Sequence, residues 1–149
     1  MLLIVVTAVY LLYVLVHDWA PLFPLNDMER QREQRLRVRL LVELGNVLPI
    51  AVLVVLAILY PDGRLPLGAA IYGGAYIVIF AMLAWLSWYA PYMLGSTAER
   101  EAAAEHEYGR TTQVLPRRGT RIRPNLMHVV LHALFLVMAG VLISRIVIG

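Results

Sequence analysis

Cysteine and lysine are both absent from this 149-residue chain, and each absence excludes a class of chemistry. Without cysteine there can be no disulfide, thiolate nucleophile, iron–sulfur cluster or cysteine-ligated zinc, which excludes the small four-helix thiol-oxidising membrane enzymes. Because all 13 cationic side chains are arginine, a Schiff-base lysine for retinal or pyridoxal phosphate is excluded, and so is the phosphate-binding lysine of a P-loop.

Charge is also scarce, since only 15% of the residues are charged, whereas about a quarter are charged in a typical soluble domain. The chain is 60% hydrophobic and has a mean hydropathy of +0.70. Its apolar residues fall into four long runs, at 2–16, 38–60, 67–94 and 125–148. Lipid offers backbone groups no hydrogen-bonding partner, so a run that crosses it must be a helix of about 20 residues.

The sequence therefore predicts an all-α, polytopic membrane protein with one domain, a four-transmembrane-helix bundle with a basic helical loop 1 and a long loop 3. The predicted spans are 2–20, 38–60, 66–94 and 125–148. The first apolar run covers only about 22 Å at 1.5 Å per residue, so Trp19, Leu22 and Phe23 are expected to complete its crossing at the interface. No small-residue cleavage site follows this run, which indicates a retained helix and not a signal peptide.

Eleven of the 13 arginines lie in two loops, and this asymmetry predicts the orientation in the membrane. Loop 1 holds Arg30, Arg32, Arg35, Arg37 and Arg39, and loop 3 holds Arg100, Arg110, Arg117, Arg118, Arg121 and Arg123. Cytoplasmic loops are enriched in arginine, so both loops are expected in the cytoplasm and both termini outside, in a bacterial inner membrane. A cysteine placed at Ser96 should then be shielded from an impermeant thiol reagent in intact cells, whereas one at Gly149 should be labelled.

The two loops also carry local structural signals. The segment 28–39 is rich in strong helix formers and is predicted to be one solvated helix that runs into the second span. In loop 3, Ser96 and Glu99 form a capping box, which predicts a short helix to Tyr108 that ends at Gly109. The basic residues have two interpretations. The first is an anchor that follows the positive-inside rule. The second is an anion-binding surface, which in loop 1 would hold lipid phosphates, a nucleotide or a partner's acidic surface, and in loop 3 lipid headgroups. The headgroup surface would consist of Arg35, Arg37, Arg39, Arg117, Arg118, Arg121 and Arg123.

Span two places two polar residues, Glu43 and Asn46, close to one helix face. Pro49 is expected to kink this helix and to open room beside Asn46. One interpretation of the pattern is a functional cavity. The other is that Arg39, four residues before Glu43, extends toward the carboxylate and pairs with it.

Span four opens with Asn125, His128 and His132 on one face, and this face is the best candidate for chemistry. Together with Glu43 and Asn46 at comparable depth, these residues are predicted to form one polar cluster. The spacing of the histidines resembles that of paired metal ligands on a helix. Further ligands for such a metal would come from Glu43, Glu105, His106 or His17. The alternative is that Asn125 is an N-cap and the histidines are interfacial hydrogen-bonding residues.

Span three carries two further patterns. Ala69, Gly73 and Gly74 form small-residue steps that allow close helix packing. At the other end of the span, aromatic residues around Pro91 have two interpretations, an aromatic belt at the membrane interface or a stacking pocket for a ring-shaped ligand. These aromatic residues are Trp85, Trp88, Tyr89 and Tyr92.

Three functional hypotheses follow from the sequence. The first is a small integral membrane protein that acts as a homo-oligomer, or as a subunit with a partner membrane protein, in transport or in scaffolding of a membrane complex. The second is a membrane-embedded enzyme that acts on a lipid or quinone-like substrate at the His/Glu/Asn cluster, with or without a metal. The third is haem binding, with His128 or His132 paired with His17. Membrane lipids are expected partners and nucleic acid is not, and the sequence assigns neither a cofactor nor a catalytic residue.

Overall fold

The computed structural model describes residues 1–17, 19–33 and 35–148, and its regular structure there is helical. The helices are α1 (Leu2–His17), α2 (Met28–Gln31), α3 (Leu36–Leu59), α4 (Leu67–Ala84), α5 (Ala90–Leu94), α6 (Ala98–Tyr108) and α7 (Leu126–Val147). A π-helical turn, Trp85–Tyr89, joins α4 to α5, so that one continuous helix runs from Leu67 to Leu94.

Three helices are long and apolar enough to cross a membrane, namely α3, the continuous helix Leu67–Leu94, and α7. They indicate a membrane location. The first helix, α1, is apolar but has only 16 residues, or about 24 Å at 1.5 Å per residue. Three of the four predicted spans therefore correspond to helices that could cross a membrane, α1 is shorter than the predicted span 2–20, and the four-transmembrane-helix bundle stays a prediction. The predicted first span includes Asp18, and the second predicted labelling position is Gly149. Both residues lie outside the described residues.

The core is built around α1, which packs against both α3 and α7. Its buried residues recur every three or four positions, as expected for one helix face. They are Leu3, Thr7, Tyr10, Val14 and His17. The Thr7 hydroxyl donates to the Leu3 carbonyl at 2.8 Å, so this buried polar group is satisfied within its own helix.

One end of the molecule is closed by the two arginines that lie outside the basic loops. Arg145, in the last turn of α7, donates to the carbonyls of Tyr60 and Pro61 at 2.9 and 3.0 Å and also bonds the carbonyl of Gly63. Arg64 returns a hydrogen bond to the Ile146 carbonyl at 3.1 Å. Carbonyls after a helix end have no intrahelical partner, so these arginines satisfy the backbone where α3 turns toward α4.

The opposite end is formed by loops 1 and 3 together. The Thr112 amide donates to the Pro24 carbonyl at 2.7 Å, and Arg110 pairs with the buried Asp27 at 3.5 Å. Asn26 donates to the carbonyl of His17, the last residue of α1, at 2.8 Å and to that of Ala20 at 2.7 Å. Both arginine-rich loops therefore lie at the same end of the molecule, as the charge asymmetry requires. Their cytoplasmic orientation stays a prediction.

Two local predictions for the loops are wrong. The segment 28–39 is not one helix, because α2 ends at Gln31 and α3 begins only at Leu36, after Arg35 with extended backbone angles (φ −59°, ψ 130°). This break lets α2 lie against α6, a tertiary contact that outweighs local helix propensity.

The capping box of α6 differs from the prediction, because its N-cap is displaced by one residue and its glutamate by two. Thr97, not Ser96, is the N-cap, and its side chain accepts the Arg100 amide at 3.3 Å. Glu101, not Glu99, reaches back to the Ser96 amide at 3.1 Å. The predicted end of α6 at Tyr108, followed by Gly109, is confirmed.

Candidate functional site: a histidine-lined cavity

A cavity of about 360 Å³ lies at the end of the molecule where the two basic loops meet. We call it the histidine cavity. Its walls come from α1, α3, α4, the π turn, α6 and α7, and its polar lining residues include His17, Arg39, Glu43, Asn46, His128 and His132. The volume falls in the range of small-molecule sites, about 300–1,000 Å³.

The structure brings most of the predicted polar cluster to this cavity. Glu43, Asn46, His128 and His132 all line it, and the Glu43 side chain is buried, with only 9% of the residue exposed. Asn125 lies behind the lining and contacts His128. Span two and span four thus contribute to one site, although a hydrogen bond between their polar residues stays a prediction.

Asn125 fixes the ring of His128. Its side-chain oxygen accepts the backbone amide of His128 at 3.1 Å, as an N-cap does, and also lies 2.7 Å from the ring Nδ1. The amide nitrogen of Asn125 donates to the Leu25 carbonyl at 3.3 Å, which fixes the direction of the amide group. Because the oxygen can only accept, Nδ1 of His128 donates, and Nε2 of the neutral ring carries the lone pair. Asn125 is therefore the N-cap that one interpretation predicted, and it also contacts His128; the polar cluster as a functional unit stays a prediction.

His17, at the end of α1, is fixed in the same tautomer. Its Nδ1 lies 2.8 Å from the Val14 carbonyl, which can only accept, so Nδ1 donates and Nε2 of the neutral ring is an acceptor. The ring is stacked on Tyr13 and meets His128 edge to face, with centroids 5.9 Å apart in both cases. The sequence indicated His17 only as an additional metal or haem ligand, because local spacing carries no information on how α1 approaches α7.

The π turn arises at Pro91. Proline has no N–H, so neither the Ser87 carbonyl, its α-helical acceptor, nor the Leu86 carbonyl, its π-helical acceptor, can receive a bond from it. Arg100, in α6, donates to these two carbonyls instead, at 3.1 Å to Leu86 and 3.3 Å to Ser87. The arginine thus satisfies the backbone groups that the proline leaves open, and it ties α6 to the continuous helix beside the cavity.

Two aromatic residues of the π turn contact the histidines. The Tyr89 hydroxyl lies 2.9 Å from Nδ1 of His132, and the Trp88 ring lies 4.1 Å from that of His128, centroid to centroid. Trp85, one turn earlier, is 53% exposed. The sequence left a belt and a stacking pocket as alternatives for these aromatics. Trp88 lines the cavity, as the stacking pocket requires, and Trp85 has the exposure expected of a belt.

The helix α6 closes one side of the cavity with residues that the sequence did not indicate. The Tyr108 ring lies 5.2 Å from Trp88 and 5.4 Å from His128, centroid to centroid. The Tyr108 hydroxyl donates to the carboxylate of Glu107 at 2.8 Å, and both residues line the cavity. Their position depends on the Arg100 contact and on the loop packing, which no local pattern in the sequence specifies.

A metal centre receives no support from the geometry. Within residues 1–17, 19–33 and 35–148, no three histidine, aspartate or glutamate side chains are grouped so that they could hold a metal ion. The centroids of His128 and His132 are 6.5 Å apart, and Nδ1 of each ring is hydrogen-bonded to Asn125 or Tyr89. Nδ1 of both histidines is therefore engaged in a hydrogen bond within the chain.

Five of the arginines predicted to contact headgroups have partners among the described residues. Arg117, Arg121 and Arg123 donate to backbone carbonyls, whereas Arg39 and Arg118 lie over the rings of Trp19 and Tyr92. Arg35 and Arg37 are exposed at the start of α3. Headgroup binding by this set stays a prediction.

The small residues of α4 contribute to packing within the chain. A Cβ atom added at Gly73 would lie 3.0 Å from a methyl carbon of Leu142 on α7, and Ala69 belongs to the same buried core. A Cβ atom added at Gly74 would have no neighbour within 4 Å. Gly73 therefore allows the close contact between α4 and α7. Gly74, in contrast, has open space beside it that another molecule could occupy.

Comparison of the chain with protein-family models, with curated proteins and with solved structures finds no match in any of the three.

Proposed function

We propose that this chain is a membrane protein that binds a small amphipathic molecule, whose ring or headgroup occupies the histidine cavity. One observation carries the proposal. Polar and aromatic side chains from five of the helices converge on a single space at one end of apolar, membrane-compatible helices. A molecule that enters along the lipid interface would reach this end with its polar group first.

The free-energy cost of placing polar groups in this lining argues against a purely structural role. Polar and ionisable residues within membrane-spanning helices are expensive, and they are typically associated with substrate pathways or binding sites. A structural cluster would be expected to close its own space through direct hydrogen bonds. Here about 360 Å³ remains open, which is room for about twelve water molecules at roughly 30 Å³ each, or for one ring-bearing molecule.

The lining also supplies the contacts that such a molecule needs. Trp88 and Tyr108 offer aromatic surface, His128 offers a ring with a fixed tautomer, and Glu43 offers a buried carboxylate. This combination of apolar walls with a few fixed polar groups is typical of small-molecule sites.

An enzymatic step on the bound molecule is the second candidate. It is favoured by the fixed tautomer of His128, because a neutral imidazole with its lone pair on a defined nitrogen can act as a general base. The oligomer or partner-subunit hypothesis for transport has less support, since Gly73, central to its small-residue surface, packs against Leu142 in the same chain.

The binding proposal is tested by filling the cavity. Ala84 lines it, so Ala84→Phe would occupy part of the space, whereas Ala81→Phe adds the same group at an exposed position one turn earlier. The probe is 2-phenylethanol, and the readout is quenching of tryptophan fluorescence in purified protein. We expect saturable quenching with a Kd in the millimolar range, which corresponds to about −4 kcal/mol and is within reach of a ligand of about nine non-hydrogen atoms.

The variant pair separates binding in the cavity from partition into detergent. We expect Ala84→Phe to abolish saturable quenching and Ala81→Phe to retain it. Equal quenching in all three proteins, or none in the wild type, would contradict the proposal.

A further inference from the structure

The histidine cavity presents acceptor nitrogens to its contents. Nδ1 of His128 donates to Asn125 and Nδ1 of His17 donates to Val14, so the tautomer that these contacts select places the acceptor lone pair on Nε2 of each ring. Two independent contacts fix these tautomers, one from a side-chain amide and one from a backbone carbonyl. A bound molecule that donates hydrogen bonds therefore matches the lining better than one that only accepts them.

The permanent charges around the cavity point in the same direction. Among the described lining residues, Glu43 and Glu107 are acidic and Arg39 is the only permanent cation, so the lining has a formal net charge of −1 with its histidines neutral. The Arg39 guanidinium lies 4.5 Å from the centroid of Trp19, at one wall. An anionic headgroup would face two carboxylates, whereas a cation would be attracted by them.

Aromatic rings complete a surface that suits an organic cation. Trp88, Tyr108 and Phe80 line the cavity, and the faces of such rings attract cations by electrostatics. The described residues contain no group of three histidine, aspartate or glutamate side chains that could hold a metal ion. Rings and carboxylates distributed around the cavity suit an organic cation, whose apolar body can contact the rings while its charge faces the carboxylates.

We infer that the ligand class of the histidine cavity is an organic cation that donates hydrogen bonds, such as a protonated amine on an aromatic or apolar body. This inference rests on the proposed binding function and specifies its ligand. A quinone-like molecule would present carbonyl lone pairs to acceptor nitrogens, and a phosphate or carboxylate group would meet Glu43 and Glu107. The anionic class serves as the competing outcome of the test.

The test compares three small probes that share a phenyl ring: 2-phenylethylammonium, 2-phenylethanol and phenylacetate. Each is titrated against the purified protein in uncharged detergent, with tryptophan fluorescence as the readout. We expect the ammonium probe to bind at least about tenfold more tightly than the alcohol, a difference of about 1.4 kcal/mol, and phenylacetate to bind more weakly than the alcohol. Phenylacetate as the tightest probe would overturn the inference in favour of an anion site.

Matched carboxylate-to-amide variants locate the charge that selects the ligand. Glu43→Gln should raise the Kd of the ammonium probe about tenfold and leave that of the alcohol within about twofold. Glu107 lies outside the membrane helices, so Glu107→Gln is less disruptive to folding. It should also weaken the preference for the ammonium probe over the alcohol. Glu99→Gln, at an exposed position away from the cavity, should change neither value.

The outcomes distinguish the two proposals. If the ammonium and the alcohol bind equally well and Ala84→Phe abolishes both, the binding function stands and the ligand class is wrong. If both Glu43→Gln and Glu107→Gln leave the preference for the ammonium probe unchanged, the two carboxylates do not select the ligand, and the charge argument behind the inference is overturned. If no probe binds saturably, the binding function itself fails.

Discussion

Replacing Asn125 by alanine should destabilise the protein far more than removal of an ordinary helix cap. Asn125 is 1% exposed and makes three contacts, to the His128 amide, to the His128 ring and to the Leu25 carbonyl. Loss of the cap costs about 1 kcal/mol, and each of the other two hydrogen bonds contributes about 1 kcal/mol. We therefore expect Asn125→Ala to lower the free energy of unfolding by about 3 kcal/mol.

A second N-cap in the same chain provides the control. Thr97 caps α6 at an exposed position, and its side chain accepts one amide, that of Arg100. Thr97→Ala should therefore cost about 0.5–1 kcal/mol. Asn125→Ser should recover only the cap, about 1 kcal/mol relative to alanine, because the shorter side chain has no amide donor for Leu25 and cannot also reach the ring.

The free energies are measured by reversible unfolding in mixed micelles, and nitrogen NMR of the histidine rings provides a second readout. In the wild type, His128 should carry its proton on Nδ1, and in Asn125→Ala this preference should be lost. If Asn125→Ala were no more destabilising than Thr97→Ala, or if the His128 tautomer were unchanged, the role given to Asn125 would be refuted.

Three further predictions follow from the packing of the helices. Arg100→Leu leaves two carbonyls of the π turn without their donor. It should destabilise the protein by about 1 kcal/mol and shift the tryptophan emission. An unchanged emission spectrum and an unchanged free energy of unfolding would contradict the role of this arginine. Gly73→Leu should lower the free energy of unfolding by about 1–3 kcal/mol because of overpacking between α4 and α7. Gly74→Leu should have little effect on that free energy. Equal effects of the two substitutions would contradict the close contact at Gly73. A cysteine at Ser96 should be shielded from an impermeant thiol reagent in intact cells and one at Asp62 labelled; the reverse pattern would invert the orientation.

The apolar helices could be predicted from the sequence because lipid-compatible composition and helix length are local properties. The predicted spans 38–60 and 66–94 end within two residues of α3 and α5, and span 125–148 matches α7 equally well. Loop 1 could not be predicted in the same way. Its strong helix formers favour one helix locally, but the contact between α2 and α6 breaks it.

The cavity could be predicted in part. Glu43 and His128 both line the cavity at the end where the basic loops meet, although in the described residues α3 and α7 each pack against α1 and not against each other. The contributions of His17 and Tyr108 depend on how α1 and α6 approach α7, which no spacing within one helix specifies. The π turn had a local signal in Pro91, since a proline inside an apolar helix leaves carbonyls without donors.

The most direct test of the central claim is native mass spectrometry of the protein extracted from its own membrane, with no ligand added. The wild type should carry a small-molecule adduct of defined mass, Ala81→Phe should retain it, and Ala84→Phe should lose it. An adduct pattern that is the same in all three proteins would contradict the claim that the histidine cavity is a binding site.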